Sequence, residues 1–262
     1  MTKAFLRQIR SSLPLLVALG IWEIASRLLA EKAALCPPPS RCLLALGRWA
    51  RDDHMLRDLG ASYWRFLAGL IIGGSSGIIV GLVTGRIRAA SAALSPLLNA
   101  MRALPPISLL PLVLVWLGTS DGARIGVVSF GVFLVVWLNT HTGASHIPEK
   151  LMWAASTLTK SRRRLFFGVV LPSSASYSLA GLRQAIGIGF TLVFVSELLG
   201  ATAGIGYRIN IWSLAYRADS MIAGLVVLGV SAAMADWGLR VLSEYFFPWL
   251  TLGDSSGRPD ES

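Results

Sequence analysis

One string in this 262-residue chain matches a catalytic motif, and the histidines and lysines could serve metal or phosphate binding, but none of the three is in a context that supports such chemistry. The segment Gly73–Gly77 reads GGSSG and matches the G-x-S-x-G string of serine hydrolases. That motif needs a sharp strand-to-helix turn, whereas here it lies inside an apolar run. His141 and His146 are five residues apart and no H-E-x-x-H occurs, so we expect no metal site. None of the four lysines follows a glycine, so the chain lacks a P-loop for ATP.

The composition places these residues in a membrane protein. Only 15% of the residues are charged, 54% are hydrophobic, and the mean hydropathy is +0.62. A soluble domain usually carries about 25% charged residues. The net charge of +10 is scattered between apolar runs. It therefore fits basic loops beside membrane helices, and we expect no nucleic-acid partner.

Six apolar segments are each close to the length that a spanning helix needs. The fold is therefore predicted to be all-α and polytopic. The segments run from about Leu13 to Ala30, Phe66 to Gly85, Leu94 to Leu117, Ile125 to Thr140, Ala180 to Gly200 and Met221 to Leu242.

These spans form one predicted transmembrane domain, residues 13–250. Residues 1–12 read as a cytoplasmic segment and residues 251–262 as a polar tail. The basic start resembles a signal peptide, but no small-residue cleavage site follows closely, so we expect an uncleaved first helix. The Lys/Arg bias between loops is weak, and the cluster Arg162–Arg164 favours an orientation with both termini in the cytoplasm.

Prolines interrupt two of the apolar regions. Pro105, Pro106 and Pro111 break the third segment, because each removes a backbone donor. Such a break survives in a membrane where protein or a water-lined cavity satisfies the freed carbonyls, so this helix either lines a pathway or is an ordinary kinked bundle helix. Pro172 and the serines around it predict a turn that leads into the fifth span.

The second segment carries a glycine at every fourth position. Such a stripe lies along one face of a helix and lets another backbone approach closely. The packing glycines are Gly69, Gly73, Gly77, Gly81 and Gly85.

Charged residues inside the spans admit two interpretations. Arg102 and Arg183 either line an anion pathway or extend from helix ends to the interface. Glu197 and Asp236 either pair within the bundle or take part in transport. Pro105 and Pro106 join Arg102, Arg183 and Glu197 as candidate residues of a translocation pathway. A separate question concerns Cys36 and Cys42, which could form a disulfide or remain as thiols.

The polar segment between the fourth and fifth spans predicts a short cytoplasmic helix. Pro148 suits a first helical turn. Leu151, Ala154, Ala155 and Leu158 then follow at helical spacing and form one apolar face. From the residues alone, this helix could also be a solvated or lipid-surface helix.

This segment resembles the coupling loop of ABC importer permeases, here residues 142–173. That loop carries Glu-Ala-Ala, then a glycine, and a downstream Leu-Pro. Ala154-Ala155 and Leu171-Pro172 match the pattern, whereas Trp153 replaces the glutamate and Thr159 replaces the glycine. The resemblance implies a cytoplasmic coupling helix between helices 4 and 5. Its ATPase-coupling residues would be Pro148, Leu151, Trp153, Ala154, Ala155, Leu158, Thr159, Leu171 and Pro172.

Further short matches are similar to the nitrate/sulfonate/taurine group of binding-protein-dependent permeases. They occur in order between residues 35 and 249. They include Ser62–Arg65, Arg102–Pro111, Val115–Gly118, Asn139–Gly143, Gly181–Arg183, Ser196–Leu199, Gly204–Gly206 and Phe247–Trp249.

The resemblance implies ATP-driven import of a small anion, such as a sulfonate, taurine or nitrate, across a bacterial inner membrane. The implied partners are two cytoplasmic ATP-binding subunits, a second permease copy, a periplasmic substrate-binding protein and membrane lipid. This chain would hold no cofactor, and the partner ATPase would bind ATP and Mg. The alternatives are an ion-gradient-driven secondary transporter and an intramembrane hydrolase. The first would need paired broken helices, and the sequence offers one.

Overall fold

A computed structural model describes residues 2–28, 36–51 and 54–246, and these residues form helices without any strand. The all-α prediction is confirmed. The helices are α1 (Thr2–Leu28), α2 (Pro39–Arg51), α3 (His54–Arg86), α4 (Arg88–Ala103), α5 (Leu110–Leu117), α6 (Asp121–Ser145), α7 (Glu149–Leu158), α8 (Arg162–Leu165), α9 (Leu171–Leu198), α10 (Ile205–Leu214) and α11 (Ala218–Phe246). A 3₁₀ turn, Pro106–Leu109, precedes α5, and a π-helical turn, Phe166–Val170, joins α8 to α9.

Four helices in the described part of the chain are long and apolar enough to cross a membrane. They are α3, α6, α11 and the continuous run Arg162–Leu198 that contains α9. A fifth span results if α4 and the segment Pro106–Leu117, which are bent by 85° relative to each other, count as one broken span. The count of six spans stays a prediction.

The helix that contains the second predicted span begins well before Phe66. It is 33 residues long, or about 50 Å at 1.5 Å per residue, which exceeds the ~30 Å hydrocarbon core. Hydropathy places its start too late because Asp58 and Arg65 lower the local average. Both side chains are buried and paired with other charged groups, so the helix continues through them.

The turn expected at Pro172 is wrong. The chain is helical from Arg162 to Leu198, so Pro172 lies within a continuous helical run, directly after its π-helical turn. The π-helical turn just before it shifts the hydrogen-bond register, since the Leu171 N–H donates to the Phe166 carbonyl. Pro148 likewise precedes α7 as its N-cap instead of occupying its first turn.

The centre of the bundle is the contact of α3 with α6 and of α6 with α9. Phe66 and Phe190 stack with ring centroids 4.1 Å apart, among buried valines of α6. The five glycines of the stripe all face α6. A Cβ on Gly77 would lie 2.9 Å from Val136 Cβ, and one on Gly85 would lie 2.6 Å from Ala144 Cβ. The absence of side chains on this face therefore sets the distance between α3 and α6.

The two cysteines near the first bundle helices are both free thiols. Cys36 is exposed, whereas Cys42 is buried in α2. Within α1, Arg27 Nε donates to Glu23 Oε1 at 2.7 Å, and Glu23 also accepts from the backbone and hydroxyl of Ser40. These bonds join the end of α1 to the start of α2.

Candidate functional site

The coupling segment forms a helix that stands outside the spans. α7 connects the end of α6 to the start of the Arg162–Leu198 run. Ile147 and Met152 anchor it, because both pack in a cluster with Leu82, Ala144 and Val170 at the base of α3, α6 and α9. α7 is therefore attached on one side, through Met152, to a cluster whose members come from α3, α6 and the π-helical turn before α9.

The opposite side of α7 presents apolar side chains to the surroundings. Leu158 is 87% exposed and Trp153 is 64% exposed. Leu151 and Ala154 are also exposed, whereas Ala155 is half-buried. Exposed apolar side chains on a short helix outside the spans are typical of a surface that contacts a partner protein or the membrane surface.

At the two positions where this chain departs from the family pattern, the structure accommodates the residue that is present. Thr159 ends α7 at φ −155° and ψ 138°, an extended conformation that any residue adopts. Its hydroxyl accepts a hydrogen bond from the Ser161 N–H at 3.2 Å. Trp153 is exposed and lies about 140° around α7 from Leu158, so its apolar area lies outside the face of Leu151, Ala154 and Leu158.

The remaining predicted coupling residues lie beside α7 along the chain. Leu171 and Pro172 line an apolar groove of about 380 Å³ together with Phe167 and Ile78. The exposed arginines Arg162–Arg164 precede this groove. The α7 end of the bundle thus combines an apolar surface with a basic one.

One face of α9 is exposed and polar along its length. After Leu171, its exposed residues are small or polar apart from Tyr177: Ser176, Tyr177, Ala180, Arg183, Gln184, Gly187 and Thr191. By contrast, the exposed face of α11 carries large apolar side chains such as Val230, Met234 and Trp237. A large apolar face suits lipid, and a face of small and polar residues suits water or a protein neighbour.

An ion pair lies on this polar face. Arg183 Nε is 3.2 Å from Asp236 Oδ1, so the pair links α9 to α11. The two side chains are 46% and 35% exposed, and Arg240 approaches the same carboxylate at 3.9 Å. Charges exposed to this degree within spans need an aqueous or protein environment.

The broken third segment contacts α6 and α9 at the same point. Pro106 lies over Gly131, where an added Cβ would be 3.5 Å from the proline ring. The Pro105 carbonyl accepts from both the Ser108 N–H and the Ser108 hydroxyl, so the break satisfies its own acceptor. Arg102 is exposed and donates to Asn99 at 3.1 Å. The structure thus does not bring Arg102 into contact with Arg183.

Glu197 is not in an open pathway but in a buried ionic network at the other end of the bundle. Its carboxylate lies 2.6 Å from Arg65 Nη1 and accepts from the Ser62 hydroxyl and the Gly206 N–H. Arg65 also contacts Asp121 at 2.8 Å. The side chains of Arg65 and Glu197 are 4% and 0% exposed, which favours the pairing interpretation of Glu197.

The same network holds the turn that leads into α10. Asp58 accepts from the Gly204 N–H at 3.1 Å, from Trp49 Nε1 at 3.2 Å and from Arg208 Nε at 2.7 Å. Gly204 has φ 134°, and a Cβ there would collide with the Glu197 carboxylate. Only glycine fits this position.

Arg124 completes this end of the bundle. It is 2% exposed and donates to the carbonyls of Thr119, Ser196 and Leu199. The last carbonyls of α9 thereby gain partners that the helix itself cannot supply. Among the described residues, no group of three or more His, Cys, Asp or Glu side chains is placed to hold a metal ion.

Comparison with known proteins decides the class. The family model described as "Binding-protein-dependent transport system inner membrane component" matches residues 77–245. The chain belongs to this family. The permease is 28% identical over 249 residues to the taurine transport system permease protein TauC of Escherichia coli, covering 93% of this chain and 90% of the relative. It is 25% identical over 252 residues to the nitrate import permease protein NrtB of Synechocystis, covering 92% and 90%.

A solved structure carries the same fold. An inward-facing form of the MetNI methionine ABC transporter matches with a TM-score of 0.57 and 19% identity, covering 76% of this permease and 96% of that chain. The resemblance drawn from the short motifs is confirmed, and the permease is a multi-pass inner-membrane component of an ABC importer. The alternatives of a secondary transporter and an intramembrane hydrolase are not supported.

Sequence reasoning missed the buried network, although a signal was present. Ser62–Arg65, Ser196–Leu199 and Gly204–Gly206 are separate in sequence and meet in space around Glu197. Charges and glycines inside apolar segments indicate buried partners. The sequence did not show which charges pair with each other.

Proposed function

We propose that this permease imports a small oxyanion as one of two identical copies, with one ATP-binding subunit docked on α7 of each copy. ATP binding would tilt α7 and the helices attached to it, and so open the pathway alternately to each side of the membrane. In this proposal, α7 and both termini of the chain lie in the cytoplasm. A periplasmic binding protein would deliver the anion at the α10 end.

The observation that carries this proposal is the arrangement of α7. Its inner side is packed through Met152 into a cluster shared by α3, α6 and α9, and its outer side is apolar and exposed. A force applied to the outer side would therefore reach three bundle helices. Family membership supplies the ATPase as the partner that applies it.

The substrate class is supported by the relatives and by the charge on α9. Taurine carries a sulfonate, so the relatives named for taurine and nitrate transport both handle oxyanions. Arg183 is the cation exposed on the polar stripe of α9, and Thr191 and Gln184 on the same stripe can donate hydrogen bonds. We propose that this stripe faces its counterpart across the pathway.

The proposal is tested by placing a charge on the exposed face of α7. In Ala154→Glu, uptake into vesicles should fall at least tenfold while ATP hydrolysis by the partner subunit continues, because the charge disrupts an apolar interface. Ser156→Glu is the matched control. Ser156 is equally exposed but lies about 160° around the helix from Ala154, so uptake should stay within twofold. Unchanged uptake in Ala154→Glu would refute the docking role of α7.

A further inference from the structure

The amphipathic helix α2 is fixed to the bundle by one face. Trp49 packs edge-on against Trp212 with ring centroids 5.2 Å apart, and its Nε1 donates to Asp58. Cys42 and Ala45 are buried on the same face. α2 is therefore a rigid part of the fold, and the residues on its other face have defined positions.

The other face of α2 combines arginines with exposed leucines. A pocket of about 550 Å³ lies between α2 and the start of α11, and its lining residues are Arg41, Leu43, Leu44, Gly47, Arg48, Arg51 and Asp219. Among the described residues that line the pocket, one carboxylate faces three guanidinium groups. Asp219 pairs with Arg48 at 2.9 Å, and the other two arginines are exposed. The pocket favours an anion.

Two apolar grooves continue from this basic pocket. Leu43 lines both the pocket and a groove of about 220 Å³ between α1 and α11. Leu46 and Val226 line that groove and also a second one, of about 550 Å³, between α3 and α11. The second groove extends along α11 to Met234 and is almost entirely apolar.

The depth of this surface matches one leaflet of a bilayer. α2 lies where the spans of α3 and α11 begin, at Met55 and Ala218. From Asp219 to Met234 the α11 axis advances about 22 Å, which is half the thickness of a bilayer with its headgroups. This length would place the basic pocket at headgroup level and the grooves at acyl-chain level.

We propose that α2 and the first half of α11 form a binding site for one anionic phospholipid. Its phosphate contacts Arg41, Arg48 and Arg51, and its two acyl chains occupy the two grooves. An acidic protein surface would also be attracted to the arginines. It would leave unexplained why Leu43 and Leu44, each 69% exposed, lie among the arginines and why apolar grooves continue from the pocket.

The test uses the full transporter complex in phosphatidylcholine nanodiscs with a trace of spin-labelled phosphatidylglycerol or spin-labelled phosphatidylcholine. Electron paramagnetic resonance measures the motionally restricted fraction of each lipid. The wild type should retain phosphatidylglycerol at least fivefold more strongly than phosphatidylcholine. Arg41→Gln/Arg51→Gln should bring this preference down to within about twofold, because each exposed arginine contributes to the attraction, and it leaves the Arg48–Asp219 pair in place.

Two further variants test whether the lipid preference depends on the arginines of the pocket and on the apolar grooves. Arg57→Gln/Arg217→Gln removes two other exposed arginines outside the pocket and should keep the preference. Val226→Trp fills the point shared by the two grooves and should reduce retention of phosphatidylglycerol without any change of charge.

Four results would overturn the site. The first is equal retention of the two lipids by the wild type, and the second is an equal loss in both double variants. The third is displacement of the lipid by millimolar glycerol phosphate, which would indicate a site for a free phosphate. If Arg41→Gln/Arg51→Gln weakened only the association of the binding protein, the surface would be a protein-docking site instead.

Discussion

The α10 end of the bundle contains buried, paired charges, whereas the α7 end exposes apolar side chains. At the α10 end, Arg65, Glu197 and Arg124 are almost fully buried, and each makes several short polar contacts. At the α7 end, Trp153 and Leu158 are apolar and exposed. The buried charges of the α10 end find their partners within the chain, whereas α7 leaves apolar side chains exposed.

This difference suggests a division of labour. Buried charge pairs are costly to form and tolerate little rearrangement, so the α10 end acts as a fixed frame. The helices α3, α6 and α9 run from this frame to the cluster that holds Met152 of α7. If α7 moved, these helices would therefore rotate about the α10 end, which the buried ionic network keeps fixed.

The largest effect is expected from breaking the buried pair. Arg65→Met leaves the Glu197 carboxylate without its cation in a site with 0% exposure, which should lower the free energy of unfolding by about 3–5 kcal/mol. Thermal unfolding in detergent measures the loss. Arg183→Met is the control, because its half-exposed pair with Asp236 should contribute at most about 1 kcal/mol. Equal losses in both variants would show that the α10 end is no firmer than the rest.

An intermediate effect is expected at the contact that transmits movement between the ends. Gly77→Ala places a Cβ 2.9 Å from Val136 Cβ and 3.0 Å from the Phe133 carbonyl, and should destabilise the bundle by about 1–3 kcal/mol. Gly126→Ala on α6 is the matched control, since nothing lies within 4 Å of its added Cβ. The control should be neutral or slightly stabilising in the same unfolding assay. A neutral Gly77→Ala would mean that α3 and α6 can separate freely.

The smallest effect is expected where this chain departs from the family pattern at the α7 end. Thr159→Gly restores the family residue, but the extended backbone at this position gives glycine no conformational advantage. Uptake in vesicles should therefore stay within twofold of the wild type. A large gain in uptake would show that the backbone here must adopt another conformation during transport.

The sequence predicted the elements better than their ends and their contacts. Hydropathy located the apolar part of α3 but placed its start too late, because Asp58 and Arg65 look unfavourable until their partners are known. Pro172 predicts a turn by its residue type, because the π-helical turn that accommodates it in the helix has no sequence signature. The glycine spacing predicted a packing face because four-residue periodicity is a local property, whereas the pairing of Arg65 with Glu197 depends on the tertiary fold.

The most direct test of the account is a photocrosslink from α7. A benzoylphenylalanine at Leu158 lies on the exposed apolar face, and one at Ser156 lies on the side nearly opposite. In membranes that contain the whole transporter, the account predicts a crosslink to the ATP-binding subunit from position 158 and little or none from position 156. No crosslink from position 158, or equal crosslinks from both positions, would contradict the assignment of α7 as the docking helix.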